Sequence, residues 1–213
     1  MNNLKISTLL LVMLIIPSLA FTQIKFGIHA NYGISNFIEK NNEPSVIVGN
    51  YYTSLPSYSF GFEALYSFSD SKFGFKSGLS FSSFASENHM PDDFNAPNYT
   101  GPRSWDEKFN SMSIPLKLNY QFEKWVHINA GVANTIHLIK PKDITTNKIN
   151  DYTLSFIGGI DFIIKKRVII GAMYYRDIRP TMLLLQAPPQ PETYNVKYSI
   201  EQITFKIGYI IKS

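Results

Sequence analysis

Acyl transfer needs a nucleophile, a base and an orienting acid at one site. The side chains of this chain whose types could supply these groups are Ser155, Asp177 and four histidines. The histidines are His29, His89, His127 and His137. Ser155 and Asp177 could be cross-strand neighbours, but the hairpin register places no histidine beside them, and no Gly-x-Ser-x-Gly elbow occurs. The sequence therefore predicts no catalytic residue. A small lipid-modifying enzyme is the alternative, and its lipid turnover would be lost on His29→Ala or His137→Ala.

A second candidate for chemistry is the segment SENHMPDDFNAPNYTGPRSWDEKFN, in which His89, Asp92 and Asp93 could contact a cation. A hard cation needs several convergent oxygen ligands, and nothing in this segment enforces such a geometry. We therefore expect a solvated polar loop, without a metal site or a cofactor. Aromatic side chains of the kind used at binding surfaces also lie in the predicted loops. They are Tyr51, Tyr52, Phe94, Tyr99 and Trp105.

Ten ionisable side chains share the more polar face of the extended segments that carry them. They are Lys25, His29, Glu63, Lys72, Lys76, Lys117, His127, Asp161, Asp177 and Lys206. A tight turn near residues 69–72 would place Glu63 opposite Gly78 and diagonal to Lys76, within reach of a long side chain. Buried charges must be paired, so on an inward face we expect a plug of ion pairs and hydrogen bonds. A narrow path for ions or protons is the alternative.

The elements that must position these residues are eight segments in which apolar side chains alternate with small or polar ones, the period of two of β-strands. They run over 24–33, 57–68, 73–81, 112–122, 126–136, 152–162, 168–177 and 203–211. The phase slips near residue 201, because Tyr198 and Ile200 have the other parity, and a β-bulge there would restore the register. Pro115 cannot donate to a ladder, but the alternation continues through it.

The connections between these segments alternate between short and long. Short connections lie near residues 69–71, 123–124 and 165–167, and long ones at roughly 35–56, 85–110, 139–151 and 179–195. This order predicts an up-and-down barrel with one trimmed end and one elaborated end. The stretch MLLLQAPPQPETY in the last long connection has an apolar triplet and three prolines. We expect it to pack over the barrel mouth or to meet a partner.

The glycines indicate which face is inside. On the polar face lie Gly27, Gly33, Gly61, Gly74, Gly78, Gly131, Gly159, Gly171 and Gly208. An eight-stranded barrel has room inside only for its own side chains, so small residues belong on its concave side. The apolar face then points outward, which lipid tolerates and water does not. The sequence predicts an all-β fold, an eight-stranded antiparallel up-and-down transmembrane β-barrel, against a lipocalin-like soluble barrel with the reverse arrangement.

Aromatic residues gather near both ends of the segments, as in the interfacial belts of membrane barrels. Toward the short turns they are Phe26, Tyr66, Phe68, Phe73, Tyr120, Phe122, Trp125, Phe162 and Tyr209. Toward the long connections they are Tyr32, Tyr58, Tyr152, Tyr174 and Tyr198. The general preference of aromatic residues for strands accounts for part of this pattern.

The first 23 residues have the layout of a secretory signal peptide, because Lys5 precedes an apolar run and Ser18-Leu19-Ala20 offers a small-residue cleavage pattern. We therefore expect 1–23 to be a signal peptide and 24–213 to be one outer-membrane β-barrel domain. The chain has no cysteine, so its stability does not depend on disulfides. The net charge of +4 comes without any run of Lys or Arg, which argues against nucleic acid as a partner.

The start IKFGIHANYGIS, the strands FGFKSGLSFSS and SIPLKLNYQF, and INAGV in the fifth segment resemble the PorT-like outer-membrane β-barrel family of Bacteroidetes. The ending YIIKS departs from the terminal aromatic residue common in such barrels. The resemblance implies an outer-membrane location with both termini in the periplasm, and it suggests a part in secretion or envelope assembly. We expect a non-enzymatic barrel whose long loops contact outer-membrane lipid, lipopolysaccharide, or other envelope and secretion proteins.

Overall fold

The structure is a computed structural model that describes residues 24–39, 51–68, 71–89, 104–139, 147–179, 181–185 and 195–212. The predicted signal peptide at 1–23 lies outside these ranges. So do most of the segment 86–110, here called the acidic loop, and most of the proline-rich stretch at 182–194. Within the described ranges, no helix is long and apolar enough to cross a membrane.

Ten β-strands make up the described part of the chain. They are β1 (Ile24–Glu39), β2 (Tyr51–Ser67), β3 (Phe73–His89), β4 (Ser104–Glu123), β5 (Val126–Ile139), β6 (Asn147–Ile149), β7 (Tyr152–Ile164), β8 (Val168–Asp177), β9 (Met182–Leu185) and β10 (Asn195–Lys212). Eight of them form an antiparallel barrel in chain order, closed by the pairing of β1 with β10. The other two extend the sheet, since β9 pairs with the start of β10 and β6 pairs with β9. The predicted eight-stranded barrel is confirmed.

Three tight connections join β2 to β3, β4 to β5 and β7 to β8 at one end of the barrel, as predicted. We call this the short-turn end, and the start of β1 and the end of β10 lie there too. At the opposite, long-loop end, β2, β3 and β4 continue well beyond their predicted limits. The connections predicted at 35–56 and 85–110 are therefore shorter than expected, and those at 139–151 and 179–195 contain β6 and β9.

The apolar face of the barrel strands points outward and the polar face lines the lumen. Phe62 is 62% exposed and Phe205 is 75% exposed. Their chain neighbours Glu63 and Lys206 are buried in the lumen. This inside-out arrangement confirms the prediction made from the glycines.

The inward glycines are required because the neighbouring strand approaches them closely. A Cβ added at Gly78 would lie 2.0 Å from the carbonyl oxygen of Phe62. That distance is far inside van der Waals contact, so any side chain there would force the strands apart. Gly158 faces outward, and a Cβ added to it would first meet the Phe156 ring at 3.3 Å.

The polarity of the two faces reverses toward the long-loop end. The lumen there holds a cluster of apolar side chains, here called the apolar plug, which consists of Phe37, Phe84, Phe109, Ala133, Ile157, Tyr175, Tyr198 and Ile200. On the outer face of β4 at this end, Asp106 and Lys108 are exposed and form an ion pair at 3.2 Å. At this end, apolar side chains lie inside the barrel and the outer face of β4 is polar.

This reversal overturns two predictions about β10. No bulge occurs near residue 201, where β10 pairs in continuous register with both β1 and β8. Tyr198 and Ile200 have the other parity because they point into the apolar plug, where each is 1% exposed. Tyr198 is consequently not a member of the outer aromatic belt, in contrast to the exposed Tyr32 and Tyr58.

The strand β4 continues through Pro115, as the alternation predicted. The ladder between β3 and β4 is interrupted at this point, between the pairs Ser77–Leu116 and Ser80–Ser113. The Ser77 hydroxyl donates to the Pro115 carbonyl at 2.8 Å. A side-chain hydrogen bond therefore replaces part of the missing ladder.

Candidate functional site in the lumen

All but Lys72 of the ionisable residues of the predicted inward face lie in the lumen, because every second side chain of a barrel strand points there. Four layers follow one another from the short-turn end to the long-loop end: an apolar floor, a charged belt, a hydroxyl layer and the apolar plug. The floor is formed by Leu65, Ile169 and Ile210, which are all buried. In a barrel of eight strands such layers fill the interior.

The charged belt consists of Lys76, Lys117, Lys206, Glu63 and Asp161, all of them buried. Lys76 donates to Asp161 at 2.6 Å. Lys206 donates to both carboxylate oxygens of Glu63 at 2.9 Å and lies 3.3 Å from Asp161. Lys117 lies 3.9 Å from Glu63. The belt is one connected network, as buried charges require.

The predicted position of Glu63 is confirmed, but its main partner differs from the prediction. Glu63 lies opposite Gly78 in the ladder of β2 and β3. Lys76 comes no closer to the Glu63 carboxylate than 4.0 Å, because it reaches across the lumen to Asp161 instead. Lys206 from β10 is the lysine that contacts Glu63 directly.

Two other ionisable residues lie around the belt, and a third lies outside the lumen. His127 is buried, with its Nδ1 atom 3.2 Å from the Asn119 side-chain oxygen. Lys25 is half-buried and lines a small cavity of about 20 Å³ that also borders Glu63. Lys72 was wrongly predicted to face the lumen: it is exposed beside the turn before β3, and its ammonium donates to the Phe122 carbonyl at 3.4 Å.

The hydroxyl layer lies above the belt and surrounds a cavity of about 30 Å³. Its lining includes His29, Ser80, Ser82, Ser113, Lys117 and Thr204. The His29 Nε2 atom lies 3.2 Å from the Ser80 hydroxyl, and Asn31 donates to Ser59 at 2.6 Å. A cavity of this size holds about one water molecule. The lumen at this level is therefore not an open channel.

The apolar plug is held together by aromatic contacts. The rings of Phe37 and Phe109 lie 5.4 Å apart, and Tyr52 packs 5.3 Å from Phe37 and 5.0 Å from Tyr198. Such tilted and edge-on pairs stabilise a core beyond the area that they bury. Tyr52 is thus part of the packing beneath the loops and not the exposed loop aromatic that the sequence predicted.

The other predicted loop aromatics are not tested by the structure. Tyr51 and Trp105 belong to the ends of strands, and their side chains are outside the description. Phe94 and Tyr99 lie between the described residues 71–89 and 104–139. Their predicted role at a binding surface remains a prediction.

Ser155 and Asp177 are cross-strand partners, as predicted, and the Ser155 hydroxyl donates to the carboxylate at 2.6 Å. Asp177 also accepts a hydrogen bond from the Thr181 hydroxyl, and one from the Ile200 amide at 3.1 Å. The Tyr175 hydroxyl lies 2.6 Å from that of Ser155. Hydroxyls and one backbone amide therefore surround the Asp177 carboxylate. Its hydrogen bonds connect the end of β8 to β10, and the carboxylate does not orient a base.

A serine–histidine pair that the sequence analysis missed lies at the edge of the plug. The Ser111 hydroxyl is 2.7 Å from His137 Nδ1, and the other ring nitrogen is 3.4 Å from the Thr153 hydroxyl. The predicted β4 began at residue 112, and one more pair along its ladder with β5 places Ser111 opposite His137. Both side chains are buried. The hydroxyl is therefore closed to a substrate in this arrangement, although its type and partner would suit acyl transfer.

The predicted cation contacts of the acidic loop fall mostly outside the described residues. His89, at the end of β3, lies 3.0 Å from the Thr53 hydroxyl and 3.3 Å from Glu87. Asp92 and Asp93 are not described. In the part of the chain that the structure describes, no group of three His, Cys, Asp or Glu side chains could hold a metal ion.

No protein-family model and no curated protein matches the chain. Several solved structures are similar to it. Outer membrane protein OprG from Pseudomonas aeruginosa matches 89% of this chain and 95% of its own, with 12% identity and a TM-score of 0.48. Ail, the attachment invasion locus protein of Yersinia pestis, matches 88% of this chain and 98% of its own, with 13% identity and a TM-score of 0.41. Neisserial surface protein A matches 86% and 96%, with 12% identity and a TM-score of 0.40.

Proposed function

We propose that this chain is an integral, non-enzymatic outer-membrane β-barrel protein with a sealed lumen, whose long-loop end binds other molecules. The observation that carries this proposal is that each of the eight barrel strands exposes at least one large apolar side chain on the outer wall. In water, so large a contiguous apolar surface would cause association. In a bilayer, lipid covers the surface and the closed barrel satisfies its own backbone hydrogen bonds.

The distribution of outward side chains supports a position for the barrel in the membrane. Exposed Phe122 and Trp125 lie at the short-turn end, and exposed Tyr32 and Tyr58 lie higher on the wall. Aromatic rings of this kind favour the membrane–water interfaces. Beyond the aromatic residues of the long-loop end, the outer face of β4 carries the Asp106 side chain in solvent. Because outer-membrane barrels have short periplasmic turns, we propose that the short-turn end and both termini lie in the periplasm and the upper strands outside the cell.

The layers of the lumen argue against the narrow ion or proton path. A path through the barrel would have to cross the floor, the belt and the plug. In the described residues, Leu65, Ile210, Phe109 and Ile200 close the two apolar layers, and each is buried. Water does not hydrate apolar layers packed like a protein core.

Planar-bilayer recording tests the sealed lumen. Insertion of the full-length protein is first shown by its flotation with liposomes and its resistance to extraction with urea. We then expect no steady open-channel current. A steady current that scales with the number of inserted barrels would contradict the proposal.

The long-loop end is the part of the protein that we propose to bind partners. The sheet continues there through β9 to β6, which is the last strand in the sheet order. A terminal strand can accept a strand of another protein. The partner classes are lipopolysaccharide on one side and envelope or secretion proteins on the other. The resemblance to the PorT-like family favours a protein partner. Pull-down from detergent-solubilised outer membrane, with and without residues 147–149, tests this part.

A further inference from the structure

The charged belt contains three buried lysines and two buried carboxylates. Lys76 and Lys206 each approach a carboxylate within 3 Å, the first at Asp161 and the second at Glu63. These two close pairs balance four of the five charges. The remaining group is Lys117, which is 4% exposed. Glu63, at 3.9 Å, compensates its charge only in part, because Lys206 already contacts that carboxylate. A partly compensated buried charge is costly, so this position favours a further anionic partner.

Lys117 is also placed beside a like charge. In the ladder of β3 and β4 it lies directly opposite Lys76. Like charges directly opposite each other on a sheet repel. The nearest carboxylate oxygen to its ammonium belongs to Glu63, at 3.9 Å, and Lys206 already contacts both oxygens of that carboxylate. Lys117 is therefore the point of the belt at which an added negative charge would be stabilised most.

The same lysine borders the cavity of the hydroxyl layer. The lining combines Lys117 with the hydroxyl-bearing side chains of Ser82, Ser113 and Thr204. Hydroxyl groups rotate freely and can turn their hydrogens toward an anion. Among the described residues that line this cavity there is no carboxylate. The lining thus offers a positive charge and hydrogen-bond donors without a competing negative charge.

The cavity is small, which favours a small anion. At about 30 Å³ it has the size of a single water molecule. A monatomic halide ion fits that space, whereas phosphate, sulfate or a carboxylic acid is larger. We propose that the cavity beside Lys117 binds one halide ion, chloride under ordinary conditions, and that this ion completes the charge balance of the belt. The bound ion strengthens the seal of the lumen and does not pass through it.

A halide dependence of stability tests this site. The full-length protein in detergent micelles is unfolded by heat in mixtures of sodium chloride and sodium gluconate at constant ionic strength. We expect a saturable rise of the unfolding midpoint with chloride or bromide. Lys117→Met should remove the rise, and Ser113→Ala should weaken the halide affinity about tenfold by removing one donor to a charged group.

The matched control is Lys108→Met, because Lys108 is an exposed lysine of the same strand, paired with Asp106 at 3.2 Å. This variant should keep the full halide response. If wild type and Lys117→Met respond equally, or if gluconate acts like chloride, the proposal is wrong, and Lys117 is accommodated by deprotonation or by water.

A second measurement does not depend on any variant. Crystals of the wild-type barrel soaked in sodium bromide should show an anomalous peak inside the lumen beside the Lys117 ammonium. Bromide found only on the outer surface would overturn the proposal. This result would leave the sealed, membrane-embedded barrel untouched, because that proposal rests on the outer wall and the apolar layers.

Discussion

The Lys76 ammonium and the Asp161 carboxylate meet across the lumen at 2.6 Å, although β4 and β5 separate their strands in the barrel wall. The pair of Lys206 and Glu63 likewise joins β10 to β2 over the intervening β1. These contacts connect strands that share no backbone ladder. The belt therefore holds the barrel together across its interior, in addition to the hydrogen bonds around its wall.

Asp161→Asn tests the contribution of the belt. The substitution keeps the shape of the side chain but leaves Lys76 without a close carboxylate, since Glu63 is 4.0 Å away. Breaking a buried ion pair from one side costs about 3–5 kcal/mol. We expect a loss of that size in the free energy of unfolding, measured by guanidinium titration in micelles with tryptophan fluorescence.

The control for this prediction is Asp106→Asn, which breaks the exposed pair with Lys108 at 3.2 Å. Because exposed ion pairs contribute little, the expected loss is below about 1 kcal/mol. Equal losses in the two variants would show that the belt is no more important for stability than a surface ion pair.

Gly78→Ala tests the close approach of strands on the lumen side. The added Cβ would lie 2.0 Å from the carbonyl oxygen of Phe62, so β2 and β3 would have to separate. We expect a loss of about 3 kcal/mol or failure to fold. Gly158→Ala is the matched control, because its Cβ would meet only the movable Phe156 ring at 3.3 Å first. Folding yield and the urea midpoint compare the two, and similar behaviour would argue against the inward position of Gly78.

Tyr198→Ala tests the apolar plug. The ring is 1% exposed and packs edge-on against Tyr52 at 5.0 Å. Removing a buried aromatic side chain costs about 3–5 kcal/mol, because a cavity remains. Tyr32→Ala on the outer wall should cost only about 1 kcal/mol, since detergent or lipid fills the space. Thermal unfolding of the two variants measures both losses of stability. A larger loss for Tyr32→Ala than for Tyr198→Ala would indicate that Tyr198 lies on the outer face.

The lower barrel could be predicted from the sequence because its period of two is strict. Strand parity and short turns together determine local register, which is why Glu63 opposite Gly78 and Ser155 opposite Asp177 were both found. The glycines identified the inward face for a steric reason that the structure shows directly at Gly78.

The upper barrel and the partners within the belt could not be predicted. The orientation of Tyr198 and Ile200 was predicted wrongly because the apolar side chains of β10 face the lumen at the long-loop end and face outward below it. A prediction that assumes one apolar face along the whole strand misses this change. The pairing of Lys76 with Asp161 depends on which strands face each other across a closed barrel. Pattern and hairpin register determine neighbours along the wall, not across the lumen.

Phe62→Arg tests whether lipid covers the outer wall. Phe62 is exposed midway between the two aromatic belts, so in a phospholipid bilayer the charge would meet the hydrocarbon. We expect a loss of about 2–4 kcal/mol at this depth. Phe122→Arg, beside a short turn, should cost only about 0–1 kcal/mol near the interface. Guanidinium unfolding in liposomes measures the loss of stability of both variants. No loss for Phe62→Arg would indicate that the outer wall is in contact with water.

The most direct test of the inside-out barrel is spin-label accessibility along β10. The natural chain has no cysteine, so single cysteines at Ile203, Thr204, Phe205 and Ile207 can be labelled one at a time in liposomes. We predict high collision rates with oxygen dissolved in lipid at the outward positions 203, 205 and 207, and a low rate at 204. Low oxygen accessibility at 203, 205 and 207, with a label at 204 exposed to a water-soluble relaxation agent, would contradict the account.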